Sequence, residues 1–155
     1  MHRVIDTNVL IVANNRESEQ ASQECVSSCQ NWLESFRESG VIVIDSNWLI
    51  IKEYLKKVNS SGEPDVGDKF LKWILINQRN PQRCHQVQIT QIAECEFQEF
   101  PQSKSLQNFD LSDRKFVAVA LTHPQRPLIV NAVDSDWDIH KDPLSEHGIE
   151  IEFLC

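Results

Sequence analysis

Glycine-rich phosphate loops are missing from this chain, which has only 4 glycines in 155 residues, and so are a Gly-x-Gly-x-x-Gly element and a serine nucleophile elbow. Phosphate-cradling loops and hydrolases built on an activated serine are thereby excluded. No apolar run reaches the ~20 residues that cross a bilayer, and no apolar core of ~7–15 residues follows the start, so neither a membrane span nor a secretory leader is read. Basic residues are outnumbered, 15 Lys and Arg against 23 Asp and Glu, for a formal net charge of -8. A chain that held nucleic acid by bulk charge would be basic, so any phosphate binding has to come from a local patch or from metal ions. The 5 cysteines (Cys25, Cys29, Cys84, Cys95, Cys155) form an odd set without a Cys-x-x-Cys pair. That argues against a zinc ribbon and a disulfide framework; the cysteines read as reduced thiols of a cytoplasmic protein, several of them small core residues.

What is present is ordinary for a folded domain: 41% hydrophobic and 25% charged residues, with no repeat and no low-complexity tract. One domain over residues 1–155 can bury roughly 70% of the surface its unfolded chain exposes, so folding needs no staple. Periodicity predicts a first strand, Arg3–Ile5, ending at Asp6, and a helix over 19–38 whose apolar stripe is Ala21, Cys25, Cys29, Trp32, Leu33 and Phe36, stopped at Gly40. A buried strand over Val41–Ile44 leads to a helix capped by Ser46 and running to about Val58. A loop at 59–64, a helix from Asp68 to about Gln78 and a strand over Gln86–Thr90 follow. Residues 98–110 are polar and irregular. Ser112 caps a helix over Asp113–Thr122 that Pro124 stops, Leu128–Val133 is a strand running into Asp134, and Ile149–Leu154 alternates like an edge strand. Strands alternating with helices imply a largely parallel α/β sheet with helices on both faces.

In such sheets ligands bind beyond the carboxyl ends of the strands. Asp6 and Asp134 occupy that place, and on neighbouring strands their like charges would call for a cation. Asp113 shares a helix face with Phe116, Val117 and Ala120, so two readings stand: a metal partner, or a first-turn acid favoured by the helix dipole. Glu53 falls with Lys52, Lys56 and Lys57 on the wheel of its helix, where pairing with Lys57 on a solvated face is the default.

The segment Val4-Ile5-Asp6-Thr7-Asn8-Val9-Leu10 resembles the opening strand and Asp-Thr-Asn turn of the PIN-domain nucleases, a family that includes the VapC-like ribonucleases. Ser46–Leu55, with Glu53, is similar to the segment carrying the family's second acid. Asp113 leading into Phe116–Ala120 is similar to the third-acid helix, and Leu128–Trp137, with Asp134 and Asp136, to the strand that ends in Asp-x-Asp-aromatic. The four motifs fall in family order across nearly the whole chain. The resemblance implies a three-layer α/β sandwich with a mostly parallel sheet of about five strands in order 3-2-1-4-5. It implies that Asp6, Glu53, Asp113 and Asp134 form the catalytic set, with Asp136 beside them. These oxygen ligands suit one or two Mg²⁺ or Mn²⁺ ions. Asp6, Glu53 and Asp113 are expected at a first ion, with Asp134 and Asp136 completing the cluster or holding a second. Thr7 and Asn8 are expected to orient the acids by hydrogen bonds. The Thr or Ser usual shortly before the fourth acid is absent, and Asn131 is the candidate in its place.

The activity so implied is hydrolysis of phosphodiester bonds in single-stranded or structured RNA by metal-activated water, as a toxin or defence effector. Homodimerisation and an antitoxin or other protein partner are expected with it. Water attack needs no 2′-hydroxyl, so the preference for RNA rests on the resemblance. A catalytically inactive interaction module and a structure-specific DNA nuclease are the alternatives. Between residues 45 and 84, 7 basic residues outnumber 5 acidic ones. Lys52, Lys56 and Lys57 are therefore candidates for a phosphate track, against the plain reading of solvated helix faces. The tryptophans read as core or interface anchors, with Trp137 abutting the acids. His140, His147 and Asp142 fall in loop-like sequence and do not make a zinc pattern.

Overall fold

The computed structural model describes residues 1–15, 21–58 and 63–155. Most of the predicted loop at 59–64 and the start of the predicted helix over 19–38 lie outside the described residues. Strands β1 (His2–Ile5), β2 (Val41–Asp45), β3 (Cys84–Val87), β6 (Leu128–Asn131) and β7 (Ile151–Phe153) form a parallel sheet in the order β3-β2-β1-β6-β7. Counting only this sheet, that is the expected 3-2-1-4-5. Arg3 stands opposite both Ile42 and Leu128, so β1 is central and its neighbours are the strands that precede and follow the reversal of strand order. The central strands are β-branched runs buried on both faces, as parallel sheets require.

Helices surround the sheet: α1 (Thr7–Ala13), α2 (Gln23–Ser39), α3 (Leu49–Val58), α4 (Val66–Asn77), α5 (Arg114–Thr122), α6 (Ser135–Ile139) and α7 (Lys141–Glu146). This is the three-layer α/β arrangement. Helices α1 to α4 contact one another, and α5 packs across β2, β1 and β6. A single buried cluster runs through the molecule, from Val4 and Ile5 through Leu33, Phe36, Ile44 and Tyr54 to Phe116, Val130 and Trp137. No helix among the described residues is long and apolar enough to cross a membrane.

Several boundaries differ from those the sequence predicts. Helix α1 begins directly after Asp6, and α2 starts at Gln23 because the Ser22 hydroxyl accepts the Cys25 N–H at 3.1 Å. Ser46 does not cap α3. Asp45 does, its carboxylate accepting N–H bonds from Asn47, Leu49 and Ile50 at 2.9–3.0 Å. Helix α4 starts at Val66 behind an Asp65–Asp68 capping box. Ser112 gives way to Asp110 as the cap, over a 3-10 turn at Leu111–Asp113. Strand β3 lies two to three residues earlier than predicted, paired from Cys84 opposite Ile42 to Val87 opposite Asp45. A small hairpin, β4 (Gln91–Ala93) with β5 (Glu96–Phe97), and the short helices α6 and α7 occupy sequence to which periodicity assigns no element.

Cys25 and Cys155 are joined by a disulfide across 130 residues, with Cα atoms 5.2 Å apart, contrary to the expectation of reduced thiols. No local spacing signals a pair so far apart. Trp48, expected in the core or an interface, is 38% exposed.

Gly67 marks the closest approach of α4 to α1: a Cβ there would lie 2.2 Å from Leu10 O. Gly67→Ala is expected to cost about 1–3 kcal/mol, because only backbone movement relieves the overlap. A fall in the urea midpoint at unchanged slope checks it.

Candidate metal centre

Asp6 follows the last residue of β1 and caps α1, with Oδ1 accepting the Asn8 N–H at 3.3 Å. Its own N–H donates to Val130 O of β6 at 3.0 Å, which fixes it against the strand leading to Asp134. Asp134 caps α6, its Oδ1 accepting the Asp136 N–H at 3.0 Å. Asp113 closes the turn before α5. Parallel pairing of β1 with β6 puts their carboxyl ends at one rim, and α5 brings the third acid to it. Asp6, Asp113 and Asp134 each present a carboxylate oxygen within 4.8 Å of the other two. With Thr7, Asn8, Glu53 and Lys57 they line a cavity of about 600 Å³.

Burial dominates the electrostatics. Asp6 and Asp113 are only 3% and 5% exposed, so ionising either removes hydration it cannot replace. Burial first, then the nearby carboxylates of Asp134 and Glu53, push Asp6 from its ordinary 3.8 up to about 7. The N–H donors of Trp137 and Asn8 pull the other way. Asp113 rises to about 10, again by burial first and then by the charges of Asp6, Asp134 and Asp110. A hydrogen bond to Asp134, which only a protonated Asp113 carboxyl can donate, adds to the shift. Asp113 Oδ2 is buried with no hydrogen-bond partner. A buried acceptor in that state costs about 1–3 kcal/mol, more when charged.

Glu53 reaches the same cavity from α3, but neither of its oxygens is free. Oε2 accepts from the Thr7 hydroxyl, and Oε1 pairs with Lys115 Nζ at 2.8 Å. The default pairing with Lys57 is thus replaced by a lysine of α5. Lys115 also donates to Ser112 O, so it ties α3 to the turn carrying Asp113. Asp136 is not brought to the cluster: Oδ2 accepts the Asp110 N–H at 2.8 Å and Oδ1 faces His140 Nδ1 at 3.1 Å.

The side chains of Asn8 and Asn131 form a staple, bonding each other and backbone groups rather than the carboxylates. Asn8 Nδ2 donates to Asn131 Oδ1 at 2.8 Å, and Asn8 Oδ1 accepts the N–H groups of Ala132 and Val133 at 2.9 and 3.2 Å. Asn131 in turn donates to Asp134 O at 3.0 Å and accepts the Asp134 N–H at 3.3 Å. The bend after β6, and with it the position of Asp134, is held by these amides.

Lys57 lines the carboxylate cavity, whereas Lys52 and Lys56 line a neighbouring one of about 430 Å³. The two cavities share Glu53, Lys57 and Ser112, so the lysine side of α3 runs continuously up to the acids. Sequence reasoning did not reach Lys115, whose partner is 62 residues away, nor the Trp137 indole as the donor to Asp6 Oδ2. The only signal for Trp137 was its place beside the acids. No family model matches this chain, and neither a curated protein nor a solved structure shows significant similarity to it.

Three oxygen donors, two of them buried with raised proton affinity and one oxygen without any partner, make up an acidic cluster whose residues could hold a metal ion.

Proposed function

We propose that this chain is a divalent-metal-dependent endonuclease of PIN-like type, hydrolysing phosphodiester bonds of single-stranded or structured RNA in the cytoplasm, as a toxin or defence effector. The same reading includes a homodimer and an antitoxin or other protein partner. It is carried by one observation: Asp6, Asp113 and Asp134, from segments far apart in the chain, meet within 4.8 Å at the carboxyl rim of the sheet, with Asp113 Oδ2 unpartnered. Asp6, Asp113 and Asp134 would hold Mg²⁺ or Mn²⁺. When bound, such an ion supplies an activated water and offsets the charge of the scissile phosphate. The indole of Trp137 orients Asp6, and the Asn8–Asn131 staple sets Asp134. Thr7 and Lys115 fix Glu53 at the wall, and Lys57 stands where the phosphate track meets the acids.

The test is cleavage of a mixed RNA pool with Mn²⁺, with EDTA, and with Asp6→Asn, read by sequencing the new ends. The expected result is metal-dependent cleavage lost in the variant. Cleavage at an equal rate by Asp6→Asn would overturn the assignment, and cleavage of DNA alone would replace the substrate. The Lys115 ammonium favours the second reading, an interaction module without chemistry, since from the neighbouring cavity it already neutralises Glu53 at this wall. A folded protein that binds Mn²⁺ and cuts neither polymer would establish that reading.

Lys56 and Lys57 are exposed, and no ion pair of theirs is recorded among the described residues. Changing both to Ala is expected to weaken binding to a single-stranded oligonucleotide and to lower the log–log salt slope by ~1.4, at ~0.7 per phosphate contact. A fluorescence anisotropy titration across salt concentrations measures both; an unchanged slope would return these lysines to a solvated face.

A further inference from the structure

Three imidazoles meet at the opposite end of the sheet from the carboxylates. His2 opens β1, His85 lies on β3, and His123 directly follows the last residue of α5. His2 stands opposite Val41 and His85 opposite Val43, two positions apart on β2, so both histidines project from one face of the sheet. Ring centroids are separated by 4.9 Å (His2–His85), 5.3 Å (His2–His123) and 5.2 Å (His85–His123). Each residue offers a ring nitrogen within 4.8 Å of the other two.

The hydrogen bonds define the protons. Pro81 O can only accept, so His85 Nε2–H donates to it at 2.9 Å, and Nδ1 of the neutral ring carries the lone pair. That lone pair faces His123 Nε2 at 2.9 Å, while His123 Nδ1 accepts the Gln125 N–H at 3.1 Å. Among the described residues no carboxylate pairs with any of the three, so the ordinary role of a clustered histidine, as one half of an ion pair, is absent. Burial first, then the neighbouring imidazole of His85, hold His2 and His123 below the usual imidazole range, which favours the neutral rings that ligate metals.

We propose that His2, His85 and His123 form a second metal site, for a borderline transition-metal ion with Zn²⁺ foremost, completed by water. Imidazole nitrogens suit Zn²⁺, Co²⁺ and Ni²⁺ and do not suit the hard cations of the carboxylate rim. At Zn–N distances of ~2.0–2.1 Å, tetrahedral ligand nitrogens stand ~3.3 Å apart. The His85–His123 pair, at 2.9 Å, therefore has to open slightly, and His2 to close in from within 4.8 Å. The proton between His123 and His85 then moves: His123 carries it on Nδ1, giving up the Gln125 contact, and no ring changes charge. His85 keeps its bond to the Pro81 carbonyl, the partner that commonly orients a metal-bound imidazole. Helix α5 has Asp113 just before its first residue and His123 just after its last. An ion here would thus anchor to β1 and β3 the far end of the helix that presents Asp113.

The experiment uses the chain without a polyhistidine tag, stripped with chelator and kept non-reducing. One equivalent of Zn²⁺ is expected to raise the melting temperature of Asp113→Asn, in which the carboxylate cluster is broken, as it does that of the wild type, whereas Mg²⁺ leaves the variant unchanged. One equivalent of Co²⁺ is expected to give the visible bands of a four-coordinate nitrogen site without thiolate charge transfer. His85→Gln should weaken Co²⁺ binding by at least ~10-fold. His2→Gln should do the same, and it removes a half-buried ring with no ring hydrogen bond recorded among the described residues, so it guards against misfolding. Asp113→Asn should leave both signals intact. Absence of the Zn²⁺ shift, survival of the Co²⁺ spectrum in both histidine variants, its loss in Asp113→Asn, or a thiolate band would each overturn the proposal.

Discussion

Asp113→Asn is expected to make the metal-free protein more stable and, in the same substitution, to remove its response to Mn²⁺. The sign follows from the raised proton affinities. Asp113, at about 10, and Asp6, at about 7, hold protons in the folded state that the unfolded chain, near 3.8, has released. A folded state that binds more protons loses stability as pH rises, so the metal-free protein should weaken progressively from about pH 4 to about pH 10, more steeply below pH 7, where Asp6 contributes as well. The ceiling from Asp113 alone is about 4 kcal/mol at pH 7, at about 1.36 kcal/mol per pH unit above 3.8. Relaxation and water entry reduce this to about 1–2 kcal/mol, or ~3–6 °C in melting temperature. In Mn²⁺ the order should reverse: the wild type gains about 2.7 kcal/mol at 100 times its Kd, and gains more at pH 8 than at pH 6 as protons cease to compete. Nuclease activity, on the proposed reading, should fall by more than ~100-fold, beyond the ~10–100-fold that outer partners cost. Melting curves in EDTA and in Mn²⁺ at the two pH values decide it. A variant less stable than wild type in EDTA would make Asp113 a structural acid.

How much of this was legible in the residues depends on whether the signal is local. Asp6 and Asp134 each stand just past a β-branched run, and the parallel pairing of Ile5 with Val130 turns that adjacency into convergence. The wheel of α3 gives Glu53 the wrong partner because it shows only its own helix; Lys57 is one turn away, whereas the lysine that binds Glu53 arrives from α5. Asp136 failed for a geometric reason. At ~100° per helical residue, two steps from the capping Asp134 turn a side chain ~200°, towards Asp110 and His140. Trp137, one step further, comes back round beneath Asp6. The hairpin Gln91–Phe97 carries no alternation, since all three residues of β4 are exposed. Its turn depends on Cys95 at a left-handed φ of 57°, a place where glycine or asparagine would have been the sign. The Cys25–Cys155 bond had no spacing to betray it, and residues 59–62, read as loop, lie outside the described residues.

Asn8→Ala is expected to be the most damaging change that leaves every carboxylate in place. It removes one donor and the acceptor of two backbone N–H groups, those of Ala132 and Val133. Ala132 is buried, so water can replace that bond only by opening the bend. Unsatisfied donors of this kind cost about 1–3 kcal/mol each, which gives a loss of about 2–6 kcal/mol for the two. The second consequence is chemical: Asn131, freed of its partner on α1, no longer holds both polar groups of the Asp134 backbone in one place, and Mn²⁺ affinity should fall ~10–100-fold. Asn8→Asp separates the two effects. It keeps the acceptor for both N–H groups, and with it the backbone part of the stability, but sets a carboxylate oxygen against Asn131 Oδ1 in place of the donor and adds a negative charge near Asp6, which should raise the proton affinity of the cluster and shift Mn²⁺ binding to higher pH. Urea unfolding and a Mn²⁺ titration on both variants test this. If Asn8→Ala lost stability at unchanged Mn²⁺ affinity, the staple would belong to the fold alone, and Asp134 would be held by the capping bond to Asp136 N–H without help from α1.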